Sequence, residues 1–166
     1  RDERVSLEEV KKRSDYIVDT TNMKLSRLKE EILDIFVHGK ITYNLNVTVM
    51  SFGYKYGLPQ DSDLVFDVRF LPNPFYIESL KEFTGNDKNV QEYVMSFDVT
   101  RIFIRKLEDI LLFLLPYYIK EGKSNLVISI GCTGGKHRSV TISNNIASIL
   151  REKKYRVLLN HRDVGK

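Results

Sequence analysis

The sequence predicts an α/β fold, a layered sheet with crossover helices, and three observations predict it. Two β-branched runs, Val47–Gly53 and Leu126–Ile130, are short and end on or just before a glycine, as buried strands do where a turn must begin at once. Long stretches with apolar residues at helical spacing separate the strand-like runs, so strand and helix alternate along the chain. Turn formers cluster between them at Pro72–Asn73–Pro74 and Thr84–Gly85–Asn86–Asp87–Lys88.

Taken in order, residues 1–40 look unlike the rest. Ser14–Thr20 reads as a short strand, and Met23 to about Val37 as a helix capped by Asp19, Thr20 or Thr21, with a stripe of Leu25, Leu28, Ile32, Ile35 and Phe36. A lone strand and helix cannot bury that face, so this segment is expected to be the end of a preceding domain or an arm used in assembly. Lys40–Asn46 is the joint, and the body is residues 41–166.

Val47–Gly53 opens the body, followed by the loop Tyr54–Pro59, which carries Lys55 and two phenols. Leu64–Phe70 reads as a strand with Asp67 and Arg69 on one face and Phe66, Val68 and Phe70 on the other. A carboxylate and a guanidinium at a strand end are either a ligand contact or a surface ion pair. Asn86 or Asp87 caps a short helix to about Met95. A longer helix from Val99 to about Tyr118 has the stripe Ile102, Phe103, Leu107, Ile110, Leu111 and Leu114, and Pro116 should end or kink it. Tyr155–Asn160 is the last strand, and His161 just beyond it is a candidate for the rim of a site.

The stretch between the Leu126–Ile130 strand and the helix that follows it to about Arg151 reads Gly131–Cys132–Thr133–Gly134–Gly135–Lys136–His137–Arg138–Ser139. A strand, a glycine-rich turn and a helix in that order leave amides unpaired at the helix start, where the dipole favours negative charge. Lys136 and Arg138 deepen that preference, so an anion, foremost a phosphate, is expected here. The letters fit neither a Walker A loop nor a dinucleotide fingerprint. They do fit a second chemistry. Five residues separate Cys132 from Arg138, the spacing of cysteine-dependent phosphatases, in which a thiolate attacks phosphorus while amides and the Arg hold its oxygens. Against that, Gly131 stands where those enzymes carry His, and no general-acid Asp is evident.

The charge is uneven. Residues 151–166 hold six basic and two acidic side chains, which accounts for the whole net charge of +4. Such a tail suits a polyanion such as RNA, or simply a solvated helix end. One cysteine excludes an internal disulfide framework and fits a reducing, cytoplasmic setting. The charged start and the lack of any apolar run of membrane length predict neither a signal peptide nor a membrane span, and the three spaced histidines suggest no metal.

Four motifs, Gly131–Val140 (GCTGGKHRSV), Phe66–Pro74 (FDVRFLPNP), Ser51–Pro59 (SFGYKYGLP) and Thr84–Lys88 (TGNDK), together resemble the C-terminal domain of the RapZ/YvcJ family over about residues 46–163. Ser14 to about Val37 resembles the last strand and helix of that family's N-terminal P-loop domain, so residues 1–40 would be its remnant or a linker arm. The nucleotide-binding loop lies outside the chain, and no ATP or GTP cofactor is expected in it. The resemblance implies a fold similar to a phosphofructokinase subdomain and a ligand such as glucosamine-6-phosphate. It also implies small regulatory RNA and an RNase as partners, and a homo-oligomer. By motif, Asp67, Arg69, Asn73, Cys132, Thr133, Gly134, Gly135, His137 and Arg138 would line the ligand pocket. Arg138 and the loop amides would grip the phosphate, Thr133 and His137 would add hydrogen bonds, and Asp67 would receive a sugar hydroxyl or amine. Lys55, Arg69, Lys136, Arg138, Lys153, Lys154, Arg156 and Arg162 are the candidates for RNA. The chain departs from RapZ at Tyr56 and Phe75, where RapZ has His, and its basic tail is shorter, which suggests a YvcJ-like member.

Overall fold

The structure is a computed structural model that describes residues 10–11, 14, 16–21, 23–36 and 45–166. It divides into two compact units, with the boundary between Asn44 and Leu45. In the first unit helix α1 spans Leu25–Phe36. The segment expected to be a strand forms none among its described residues. Asp19 does not cap α1. Its carboxylate accepts from the Thr21 amide at 2.9 Å, closing a local turn that pulls the carboxyl below its usual pKa. Val37 and most of the expected joint lie outside the described residues.

The second unit is built on four parallel strands, β1 (Asn46–Gly53), β2 (Leu64–Asp67), β3 (Asn125–Cys132) and β4 (Arg156–His161), in the order β2-β3-β1-β4. The helices are α2 (Lys88–Met95), α3 (Asp98–Glu121) and α4 (Arg138–Glu152). This is the layered α/β fold the alternation predicted. Helix α4 packs on β1, β3 and β4 and carries the crossover from β3 to β4. The apolar runs form the centre: Val47, Val49, Phe52, Leu126, Ile128 and Ile130 are fully buried. Chain connections leave β1 towards one sheet edge and β3 towards the other, so the carboxyl ends of the two central strands meet at a topological switch point, where α/β folds place ligands.

Four details differ from expectation. Strand β2 stops at Asp67, because the Arg69 amide turns back to donate to the Asp67 carboxylate at 2.9 Å; Phe70 is consequently exposed, its ring edge-on to Phe103. Asp87 stands at the α2 N-cap, yet its carboxylate accepts from the Thr84 amide and hydroxyl, both at 2.8 Å. Helix α3 runs through Pro116 to Glu121 and ends on Gly122 in the left-handed conformation (φ 91°). Its buried stripe is Ile104, Leu107, Leu111 and Leu115; Ile102 and Ile110 lie on an exposed second stripe with Phe113 and Tyr117. Two apolar stripes on one helix give the periodicity two phases, and the expected stripe holds residues of both.

Candidate functional site

Register places Gly53 of β1 opposite Cys132 of β3, so the loops leaving both strands start side by side. Small residues are obligatory here. Gly135 has φ +76°, and a side-chain carbon on it would come within 2.7 Å of the Gly53 nitrogen. A carbon on Gly53 would in turn come within 2.6 Å of the Gly134 carbonyl carbon. Asp163, fully buried, fixes the arrangement from behind. Its carboxylate accepts from the Gly53 amide at 2.8 Å and pairs with Arg162 and Lys166, both at 2.7 Å, and these donors hold its pKa down to about 2 against the cost of burial.

The bend from Cys132 to Arg138 then enters α4. The Cys132 sulfur lies 3.1 Å from the Ser139 hydroxyl and accepts from the Gly135 amide at 3.3 Å; the residue is only 3% exposed. Arg138 is 5% exposed. Its Nη1 donates to the carbonyls of Arg69 at 2.6 Å and Leu71 at 3.0 Å, and its Nη2 to Thr133 Oγ1 at 3.3 Å. Its Nε has no partner among the described residues, so two of the five guanidinium donors are uncommitted. His137 donates from Nε2 to the Lys81 carbonyl at 3.2 Å, and burial holds its pKa below the usual histidine value. With Nε2 the donor, Nδ1 is the acceptor nitrogen of the neutral ring.

These residues line a cavity of about 480 Å³ together with Lys55, Asn73, Phe75, Tyr76, Lys81, Glu82, Lys136 and Lys166. Of the expected pocket residues, Asn73, Cys132, Thr133, Gly134, His137 and Arg138 are on the wall, and so are Lys55 and Lys136 from the expected RNA set. Asp67, Arg69 and Gly135 are not. The Arg69 guanidinium grips Asp67 at 2.7–3.0 Å and stacks on Tyr54 at 4.0 Å, a half-exposed pair that depresses the Asp67 pKa. The strand end reaches the cavity through the Arg69 carbonyl, which anchors Arg138. Lys153, Lys154, Arg156 and Arg162 lie off the cavity wall; Lys153 faces Glu108 at 3.8 Å, and Arg162 is held by Asp163 and the Gly57 carbonyl. His161 also stands apart, bridging Ser51 at 2.8 Å and Asn144 at 3.2 Å. Sequence reading did not place Tyr76, Lys81, Glu82 or Lys166 at the site. A proline-bounded turn carries Tyr76, and that turn was the one available signal.

The family model described as the RapZ C-terminal domain matches residues 45–165, nearly the whole of the second unit. The chain belongs to the RapZ C-terminal domain family. Among relatives of this RapZ-type chain is a nucleotide-binding protein of Thermoanaerobacter sp. strain X514, 57% identical over 164 residues, a match that takes in 99% of this chain and 58% of the relative. A protein of the same description from Alkaliphilus oremlandii is 56% identical over 161 residues, covering 97% of this chain and 56% of the relative. The chain thus spans a little over half the length of these relatives. Among the described residues no helix is long and apolar enough to cross a membrane.

Proposed function

We propose that this RapZ-type domain is a regulatory binding domain that holds a phosphorylated ligand, an amino-sugar phosphate such as glucosamine-6-phosphate, and small RNA, as an RNase adapter that senses a metabolite in the cytoplasm. One observation carries the reading: a buried arginine with uncommitted donors stands at the start of α4, on the wall of a cavity rich in cations. The helix start adds unpaired amides and the positive end of its dipole. Asn73 and Thr133 offer hydrogen bonds to the sugar. RNA reaches the same wall through Lys55 and Lys136, so sugar phosphate and RNA compete by overlap. Homo-oligomerisation, an RNase partner, and ATP or GTP binding by a preceding P-loop domain belong to the same proposal.

Calorimetry against a panel of sugar phosphates tests it. Saturable binding without turnover is expected, weakened at least tenfold in Arg138→Ala and several-fold in Lys136→Ala, which leaves the Arg138 anchors intact. No binding by a folded wild-type chain would end the reading. A second reading has its own support. The Cys132 sulfur accepts from Gly135 and faces the Ser139 hydroxyl, the surroundings of a phosphatase thiolate. Turnover of an aryl phosphate that disappears in Cys132→Ser would select that enzyme instead.

A further inference from the structure

We infer that the cavity has a second subsite, a stacking shelf on Tyr76, which lets it take a nucleoside phosphate besides a sugar phosphate, whether as a free nucleotide or as a nucleotide of a strand. The inference rests on the phosphate reading above and extends it.

Among the described residues two aromatic rings, Phe75 and Tyr76, line the cavity, and Tyr54 and Tyr56 flank its lining residue Lys55; three of these four have a cation over a face. Arg69 lies 4.0 Å from the Tyr54 centroid, Lys55 and Lys166 lie 4.6 and 4.8 Å from that of Tyr56, and Lys81 lies 5.4 Å from that of Phe75. Among the described residues, Tyr76 has no cation on its ring; it lines the cavity and is 81% exposed. A single exposed tyrosine is ordinary on a protein surface. This one differs in where it stands and how it is held.

Pro74 is buried and fixes the turn Pro74–Tyr76; the Phe75 amide donates to Asn73 Oδ1 at 3.3 Å and the Ile77 amide to the Pro74 carbonyl at 3.0 Å. The Phe75 ring meets Tyr76 nearly at right angles, with centroids 5.9 Å apart. The backbone beneath the shelf is therefore fixed before any ligand arrives, and a tyrosine loses little freedom when a base covers it. Every nucleobase has a π face to offer.

Charge points the same way. Among the described residues Lys55, Lys81, Lys136 and Arg138 on the cavity wall have no carboxylate partner, Lys166 shares Asp163 with Arg162, and Glu82 is the one carboxylate lining the cavity. The surplus is at least three positive charges, against the two or fewer negative charges of a phosphate monoester. A diphosphate, or the next phosphodiester of a strand, uses the remainder. The cavity volume of about 480 Å³ is in the range that encloses a ligand of several rings or groups.

Calorimetry on the full chain tests the shelf with inorganic phosphate, glucosamine-6-phosphate, uridine 5′-monophosphate and a 5′-phosphorylated tetranucleotide. Uridine monophosphate is expected to bind roughly 5- to 150-fold more tightly than inorganic phosphate. Tyr76→Ala should erase that gain and Tyr76→Phe should keep it, with inorganic phosphate bound equally by wild type and both variants. Arg138→Ala and Lys136→Ala should weaken every probe. Tighter binding of the tetranucleotide would name a strand as the source, and equal binding a free nucleotide. If the uridine gain is missing or survives Tyr76→Ala while Arg138→Ala still abolishes phosphate binding, the shelf is wrong and the phosphate reading stands. If no probe binds, both fall together.

Discussion

Two regions of the second unit are rich in basic side chains, and they use them differently. In the tail, Arg162 and Lys166 are held by Asp163, Lys153 faces Glu108, and Arg151 donates to the Val157 carbonyl. Around the cavity, Lys55, Lys81, Lys136 and Arg138 meet carbonyls and rings but no carboxylate among the described residues. Formal charge along the chain therefore points to the tail, while four cations without a carboxylate partner among the described residues, Lys55, Lys81, Lys136 and Arg138, gather on one cavity wall. What an anion senses is charge left without a counter-ion, not charge counted per residue.

The comparison breaks most completely if the bend itself is lost. Gly135→Ala forces a left-handed backbone on a residue with a side chain and drives it against Gly53, so a loss of about 2–4 kcal/mol is expected in urea unfolding, with ligand binding gone as well. Asp163 sharpens the contrast from the tail side. Its pKa lies at about 2 when folded, below its ordinary 3.8, so its contribution is complete above about pH 4 and disappears as pH falls towards 2. That contribution is about 2 kcal/mol, and Asp163→Asn should remove it at neutral pH and flatten the acid limb of a stability-versus-pH curve.

A direct contest between the regions pairs two double variants. Lys55→Ala with Lys136→Ala should weaken phosphate binding about tenfold and shallow its salt dependence, whereas Lys153→Ala with Lys154→Ala should change it by less than about twofold. Equal losses would mean that the tail's charges reach the ligand after all. The smallest effect belongs to the histidines. Burial depresses the pKa of His137 and of His161, so each favours the folded state above its ordinary 6.5 and forfeits that advantage as pH drops below it. His161→Gln should trim the slope of thermal stability between pH 7 and 5 by a fraction of the Asp163 effect.

The fold's centre was legible because β-branched runs such as Leu126–Ile130 allow few other conformations once both faces are buried. The glycine bend was legible for a related reason: Gly134 and Gly135 beside Lys136 and Arg138 fit few places other than a close approach near an anion. What escaped was whatever depends on partners distant in sequence. The direction of the Arg138 guanidinium is set by carbonyls at Arg69 and Leu71, nearly seventy residues earlier, and no local pattern encodes that. The outward stripe of α3 misled the periodicity. Asp67 and Arg69, expected by motif as ligand contacts, pair with each other off the cavity wall, because two residues of separation bring their charges together once β2 has ended.

The near contact between Gly53 and Gly134 has a consequence for how such a domain can diversify. With the two backbones abutting, Gly53 and Gly135 behind the cavity admit no added atoms, so the bend they fix cannot drift. Selectivity can change only around the mouth, at positions such as Tyr56, Phe75, Tyr76 and Lys81, where side chains face open space. Paralogues that answer to different metabolites should therefore share one bend and differ in their lips.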